Sequence, residues 1–121
     1  MKQHTDVLFQ KVVTHYEAQQ YPQFFELIDS ALLLAEQQDD LSTFVNLTLK
    51  KAAAYFQFSD YEIAIQALQD IEHIIDEQTS EARIRYMNLK AAVCGALNDL
   101  ETCYHYLCRA KELAEEQQSI E

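Results

Sequence analysis

Apolar side chains recur every three or four residues along most of the chain, the spacing that places them on one face of an α-helix. Short polar breaks divide the pattern into six stretches. Pro22 opens the second stretch, where its missing N–H suits the first turn of a helix. The pattern predicts six helices in three successive antiparallel pairs, at about residues 5–38, 40–76 and 79–118.

Residues that can accept hydrogen bonds from open helix N–H groups stand at several of the breaks. Ser59, with Glu62 three positions later, has the form of a capping box and predicts the start of the fourth helix, which is expected to run to about Asp76. The other predicted capping positions are Asp39 or Asp40, Thr79 or Ser80, and Asn98–Asp99.

The chain matches itself when it is shifted so that Leu68 falls on Leu107. A shift longer by one position sets Tyr21 on Tyr61, so the first two helices form a more diverged copy of the same pair. A helix pair repeated at a fixed period is typical of a helical solenoid.

Composition supports an all-α fold in one domain over residues 1–121. The chain has one Gly and one Pro, so the turn residues on which strands and hairpins depend are nearly absent. A length of 121 residues suits a single domain, and no Gly-Ser or Pro-rich linker divides it.

The net charge and the cysteine content restrict the expected partners and compartment of the protein. A net charge of −11 would repel nucleic acid and anionic membranes, so neither is an expected partner. No apolar run is long enough to span a bilayer, and the beginning of the chain lacks the apolar core of a secretion signal. Three Cys without CxxC spacing suit a reducing compartment, and we expect a cytoplasmic protein.

The middle helix pair resembles a tetratricopeptide (TPR) repeat, with small and large side chains at the positions where the two helices of such a repeat pack. The third copy keeps Ala91, Leu107 and Ala110 but has Cys94 at the aromatic position, and in the first copy Phe24 replaces the small residue. The residues of the middle copy that carry the resemblance are Ala52, Tyr55, Tyr61, Ala64, Leu68 and Ile71.

The resemblance covers nearly the whole chain, although the period of about 40 residues exceeds the roughly 34 usual for TPR repeats. It implies a right-handed α-solenoid whose inner groove, lined by the first helix of each pair, binds a protein or peptide. An apolar groove rimmed by acids would suit an amphipathic helix with a basic flank. The expected groove residues are Phe9, Val13, Tyr16, Asn46, Leu49, Phe56, Arg85 and Asn88.

Two other interpretations of the apolar positions stay open. The groove side chains can equally be core between neighbouring helix pairs, because exposed apolar patches are uncommon. The sixth helix also carries more apolar side chains than one packing face requires, which predicts a homodimer or further covering residues. The predicted self-association residues are Tyr104, Tyr106 and Leu113.

No pattern of catalytic chemistry is visible. His105 and Cys108 share a helix face, but tetrahedral zinc requires more ligands than they supply, so no metal and no other cofactor is expected. No Gly-rich phosphate loop, GxSxG or HExxH occurs. We therefore expect a non-catalytic protein-interaction or regulatory module. The alternative is a dimerisation or sensory amino-terminal domain of a larger bacterial signalling protein, such as a transcription regulator or a diguanylate cyclase.

Overall fold

A computed structural model describes the backbone of residues 2–120 and the side chains of residues 7–118. Over that range the chain is all-helical and contains no strand. A 3-10 turn, Ile75–Glu77, lies between the fourth and fifth helices. The six α-helices are α1 (Lys2–Glu17), α2 (Tyr21–Gln37), α3 (Leu41–Gln57), α4 (Tyr61–Ile71), α5 (Ser80–Ala96) and α6 (Leu100–Ile120).

The prediction of six helices is confirmed, and Pro22 lies in the first turn of α2 as expected. One predicted end is wrong, because α4 stops at Ile71 and not near Asp76. Beyond Ile71 the backbone N–H groups bond three residues back, with Ile74 donating to the Ile71 carbonyl over 3.1 Å, which is the tighter 3-10 pattern.

Four of the breaks between helices are the same tight turn. At the first, the Gln20 N–H donates to the His15 carbonyl over 2.8 Å, while the Gln19 N–H donates to the Tyr16 carbonyl over 3.0 Å. This pair of bonds is a Schellman motif, in which the residue after the helix adopts the left-handed conformation. The left-handed residues of the four turns are Gln19, Asp39, Ser59 and Asn98, with φ of 61°, 56°, 64° and 69°.

The predicted capping box at Ser59 is wrong, since this residue takes the left-handed turn position and Asp60 becomes the N-cap of α4 without a side-chain cap bond. The Thr79 side chain caps α5 by accepting from the Ala82 N–H over 3.2 Å, as predicted. Of the other predicted pairs, Asp40 accepts from the Thr43 N–H over 3.2 Å and Asp99 from the Thr102 N–H over 3.3 Å.

The chain divides into two compact units, one up to Lys51 and one from Ala52 onward, with the division inside α3. The expectation of one repeat domain over residues 1–121 stays a prediction. In the first unit α1 packs against α2. Its fully buried side chains include Val12, Phe24, Ile28, Ala31, Ala35 and Val45.

In the second unit, α5 is the central element. It packs against α4, against the 3-10 turn and most extensively against α6. Small side chains allow close approach, as at Gly95, which faces Cys103 of α6. The core of this unit contains Ala64, Leu68, Ile71, Ile75, Tyr86, Met87, Ala91, Val93, Ala110 and Leu113.

Candidate functional site

The groove residues predicted in the first unit differ in exposure. Asn46 is exposed, whereas Leu49 is buried and only 6% exposed, so it acts as core in the chain itself. Phe9, Val13 and Tyr16 are half-buried. Among the first unit's ring contacts, Tyr16 lies 5.4 Å from the ring of Phe24, and the Lys50 ammonium lies 5.7 Å from the Tyr16 ring centre. Tyr16 is therefore partly engaged in packing.

The groove residues predicted in the second unit are Phe56, Arg85 and Asn88. Phe56 is half-buried and packs on Tyr61, with ring centres 5.6 Å apart. Arg85 and Asn88 are exposed, and an Arg85 guanidinium nitrogen lies 2.6 Å from a carboxylate oxygen of Glu81 one turn earlier. The groove that would join them to the residues of the first unit stays a prediction.

Only one of the three predicted self-association residues is fully at the surface. Tyr104 is 72% exposed, whereas Leu113 is buried at 7% exposure and belongs to the core. Tyr106 is half-buried and packs edge-on against Tyr86, with ring centres 6.2 Å apart. Leu113 and Tyr106 turn inward because they lie on the side of α6 that packs on α5.

Two leucines join Tyr104 at the surface of α6. Leu100, Tyr104 and Leu107 are 65%, 72% and 48% exposed. Their spacing of four and three positions puts them on one helix face, which we call the α6 row. Neither leucine is among the predicted self-association residues. The repeat sets Leu107 on Leu68, which is fully buried, so the sequence pattern predicts a packing position for Leu107.

A polar pocket of about 190 Å³ lies in the second unit, formed by the segment after α4 together with α5 and α6. We call it the Tyr86 pocket. Its floor is apolar and buried, and charged side chains stand at its rim. The lining residues are Glu72, Ile75, Asp76, Arg83, Tyr86, Met87, His105, Tyr106 and Arg109.

Two buried polar atoms of residues that line this pocket lack partners. The Tyr86 hydroxyl, on a residue that is 3% exposed, makes no hydrogen bond with the residues that the structure describes, and the same holds for the buried Arg83 Nε. The Tyr106 hydroxyl is near enough to affect Tyr86, but the geometry between the two hydroxyls falls outside that of a hydrogen bond. Most buried polar groups in proteins are hydrogen-bonded, so these two atoms are unusual.

Burial and nearby acids favour the neutral form of both pocket tyrosines. Burial raises the pKa of the Tyr86 hydroxyl well above its ordinary value, and the neighbouring Tyr106, Glu72 and Asp76 raise it further. Burial also raises the pKa of Tyr106, as does Glu72, while the Tyr86 hydroxyl and, to a smaller extent, Arg109 lower it. Opposite charges therefore approach the same tyrosine from two sides of the pocket.

The remaining chemistry of the described residues is sparse. Burial raises the pKa of the Cys94 thiol, which makes its reactive thiolate form less available. Among residues 7–118, no group of three or more His, Cys, Asp or Glu side chains is placed to hold a metal ion. No helix in the described range combines the length and apolar character needed to cross a membrane.

Comparisons with protein-family models, with curated proteins and with solved structures found no match to this chain. The resemblance to TPR repeats therefore depends on the residues of this sequence alone.

Proposed function

We propose that this chain is a non-catalytic protein-interaction module, built as a TPR-like right-handed solenoid of three helix pairs, which binds an amphipathic helix of a partner protein along the α6 row. The observation that carries the proposal is the exposure of three large apolar side chains, Leu100, Tyr104 and Leu107, on one face of a single helix. Contiguous exposed apolar patches of this kind mark interaction sites.

The repeat favours a helix as the bound element. Leu107 corresponds to Leu68 in the preceding copy, where Leu68 is fully buried and α4 packs against α5. Within the described residues no element covers the corresponding face of α6, where Leu107 is 48% exposed. A partner helix would occupy on α6 the place that α5 occupies on α4.

Charge indicates what flanks the apolar face of that partner helix. The chain carries a net charge of −11, and the exposed carboxylates of Asp99 and Glu101 lie at the beginning of α6 beside Leu100. Lys111 lies one turn beyond Leu107. A partner with basic residues at the Asp99 end and an acid opposite Lys111 would match this surface in charge, which speeds association and fixes orientation.

The runner-up is a second copy of this chain on the same row, as in a dimerisation or sensory amino-terminal domain of a larger bacterial signalling protein. Two α6 helices packed antiparallel around a two-fold axis would bring Leu107 of each against Tyr104 of the other. The acidic net charge of −11 opposes this arrangement, since like charges repel across it. We therefore rank it second.

The test uses the full chain as bait in extracts of its own host, with a photo-crosslinking residue at position 111, one turn beyond Leu107, to record which segment of a captured protein touches α6. The disrupting variant is Tyr104→Glu with Leu107→Glu. The matched control is Leu33→Glu with Leu41→Glu, because these leucines of the first unit are 56% and 47% exposed and lie outside the α6 row.

The expected result is one protein that is crosslinked through an amphipathic helix with basic residues, lost by the α6 variant and retained by the control variant. Equal capture by the two variants would overturn the proposal. Light scattering over a range of concentrations distinguishes the homodimer from the partner complex. Self-association that disappears only in the α6 variant would show that a second copy of the chain, and not a partner helix, binds the α6 row.

A further inference from the structure

A groove of about 690 Å³ lies in the first unit, formed by α1 together with Leu27 of α2. We call it the α1 groove. It has more than three times the volume of the Tyr86 pocket, so it can take several side chains of a bound molecule. It combines apolar side chains with basic ones, in a chain whose net charge is −11. Among its lining residues are Val7, Leu8, Lys11, Thr14, His15 and Leu27.

The positions that line the α1 groove are buried in the second copy of the repeat. The shift that relates the first helix pair to the second sets Val7 on Leu47 and Thr14 on Ala54. Leu47 and Ala54 of α3 are 2% and 1% exposed. Val7, by contrast, is 51% exposed, and Thr14 is also exposed. The same helix face is therefore core in α3 and open in α1.

The third copy shows what lies against this face. Val7 corresponds there to Tyr86 and Leu8 to Met87, which are 3% and 6% exposed. The helix α5 that carries them packs against α4 and against the 3-10 turn, and Ile75 of that turn lines one pocket with them. The described part of the chain contains no helix before α1 that could cover its groove in the same way.

A lysine at one repeat position indicates the charge that a covering helix should carry. Lys11 falls on Lys51 in the second copy. There the Lys51 ammonium lies 3.0 Å from a carboxylate oxygen of Asp29, which belongs to the preceding helix α2. Lys11 is exposed in the α1 groove. A helix in this groove with a carboxylate placed as Asp29 is on α2 would form the same ion pair.

We propose that the α1 groove binds an amphipathic helix of a partner protein, with its apolar stripe against Val7, Leu8 and Leu27 and a carboxylate opposite Lys11. Apolar burial supplies most of the affinity, and the ion pair fixes the orientation. The groove is a second docking surface, on another helix than the α6 row and in the other unit. It therefore stands or fails independently of the α6 row.

The test uses a fluorescently labelled peptide with the sequence of residues 21–38, because this segment contains α2 and Asp29. Anisotropy measures its binding to the full chain. We expect saturable binding that Val7→Glu weakens roughly tenfold or more, since a carboxylate then replaces an apolar contact. Lys11→Glu should weaken binding several-fold, because exposed ion pairs are modest in strength. Both side chains are exposed, so both variants should fold normally.

Charge reversal tests the ion pair directly. A peptide with Asp29→Lys should bind the unchanged chain several-fold more weakly, and should bind the Lys11→Glu variant more tightly than the unchanged peptide does. The matched control is Lys111→Glu, which makes the same change of charge at an exposed lysine of α6. This control should leave the affinity for the unchanged peptide as it is.

Four results would overturn the inference. One is the lack of saturable peptide binding up to millimolar concentration. Another is equal weakening by Lys11→Glu and Lys111→Glu, which would assign the effect to net charge. Binding that persists in Val7→Glu but is lost in the variant Tyr104→Glu with Leu107→Glu would place the peptide on the α6 row. Finally, self-association in light scattering that only Val7→Glu abolishes would make a second copy of the chain the occupant.

Discussion

Gly95 of α5 faces Cys103 of α6 so closely that a methyl group added at Gly95 would lie 3.3 Å from the Cys103 Sγ atom. Gly95 is helical and its φ is not positive, so the close approach, and not the backbone conformation, is what favours glycine here.

This contact predicts a coupled effect on stability. Alanine in place of glycine stabilises a helix interior by up to about 1 kcal/mol. In Gly95→Ala the crowded Cys103 sulfur offsets that gain, whereas in a Cys103→Ala background the gain should appear. We expect a coupling of about 0.5–1 kcal/mol in a double-mutant cycle of urea unfolding, and strictly additive effects would contradict the contact.

The left-handed turn residues predict stabilising glycine substitutions. Gln19 is exposed and has a φ of 61°. This conformation strains any residue with a Cβ atom. Gln19→Gly should therefore raise the free energy of unfolding by about 0.5–1 kcal/mol. Gln19→Ala keeps the strain and serves as the control, so a similar gain from alanine would rule out this explanation. Thermal or urea unfolding measures both.

Two hydroxyl residues at helix starts should respond differently to alanine. Thr79 accepts from the Ala82 N–H over 3.2 Å. Thr79→Ala should reduce stability by about 1 kcal/mol, while Thr79→Ser should keep most of it. Ser59 makes no cap. Ser59→Ala should therefore change stability by no more than about 0.5 kcal/mol. Equal losses at the two positions in urea unfolding would contradict the assigned turn.

The buried Tyr86 hydroxyl predicts a loss of stability at high pH. In the unfolded chain a tyrosine has a pKa of about 10. Burial in the folded chain raises the pKa of Tyr86 well above this value. Above about pH 10 the unfolded state releases a proton that the folded state keeps, so stability falls as the pH rises, by up to about 1.4 kcal/mol per pH unit.

Urea unfolding between pH 8 and pH 11 measures this slope. Tyr86→Phe should make the slope smaller, whereas Tyr104→Phe, at a tyrosine that is 72% exposed, should leave it unchanged. A slope that is the same in both variants would show that the hydroxyl of Tyr86 does not contribute to it.

Sequence patterns predicted the helices well because helix formation here follows local periodicity and local caps. Thr79 caps the start of α5 and Pro22 lies in the first turn of α2. Each role involves only residues nearby in the sequence, so it can be predicted without knowledge of the fold. Ser59 and Asp60 are both good capping residues, and only the backbone turn decides which of them precedes the helix. When two capping residues are adjacent, the sequence alone therefore does not decide which of them is the N-cap.

The end of α4 and the candidate sites depend on contacts that the sequence pattern does not contain. Ile71, Ile74 and Ile75 keep helical spacing, yet the chain changes to 3-10 bonding after Ile71. In the same way, nothing in the sequence connects Glu72 with Arg109, which line one pocket although a whole helix and more separates them along the chain. Such pairs can be identified only once the packing of α5 and α6 is known.

The early end of α4 has a structural consequence of its own. The helix α4 has 11 residues, whereas α5 has 17 residues. At the rise of an α-helix these lengths are about 17 Å and about 26 Å, so a continuous α4 would need roughly 9 Å more to match α5. The irregular segment that replaces the missing turns carries Glu72, Ile75 and Asp76, one whole side of the Tyr86 pocket. A repeat in which α4 matched α5 in length would lack this recess, so the pocket depends on the irregular segment that follows α4.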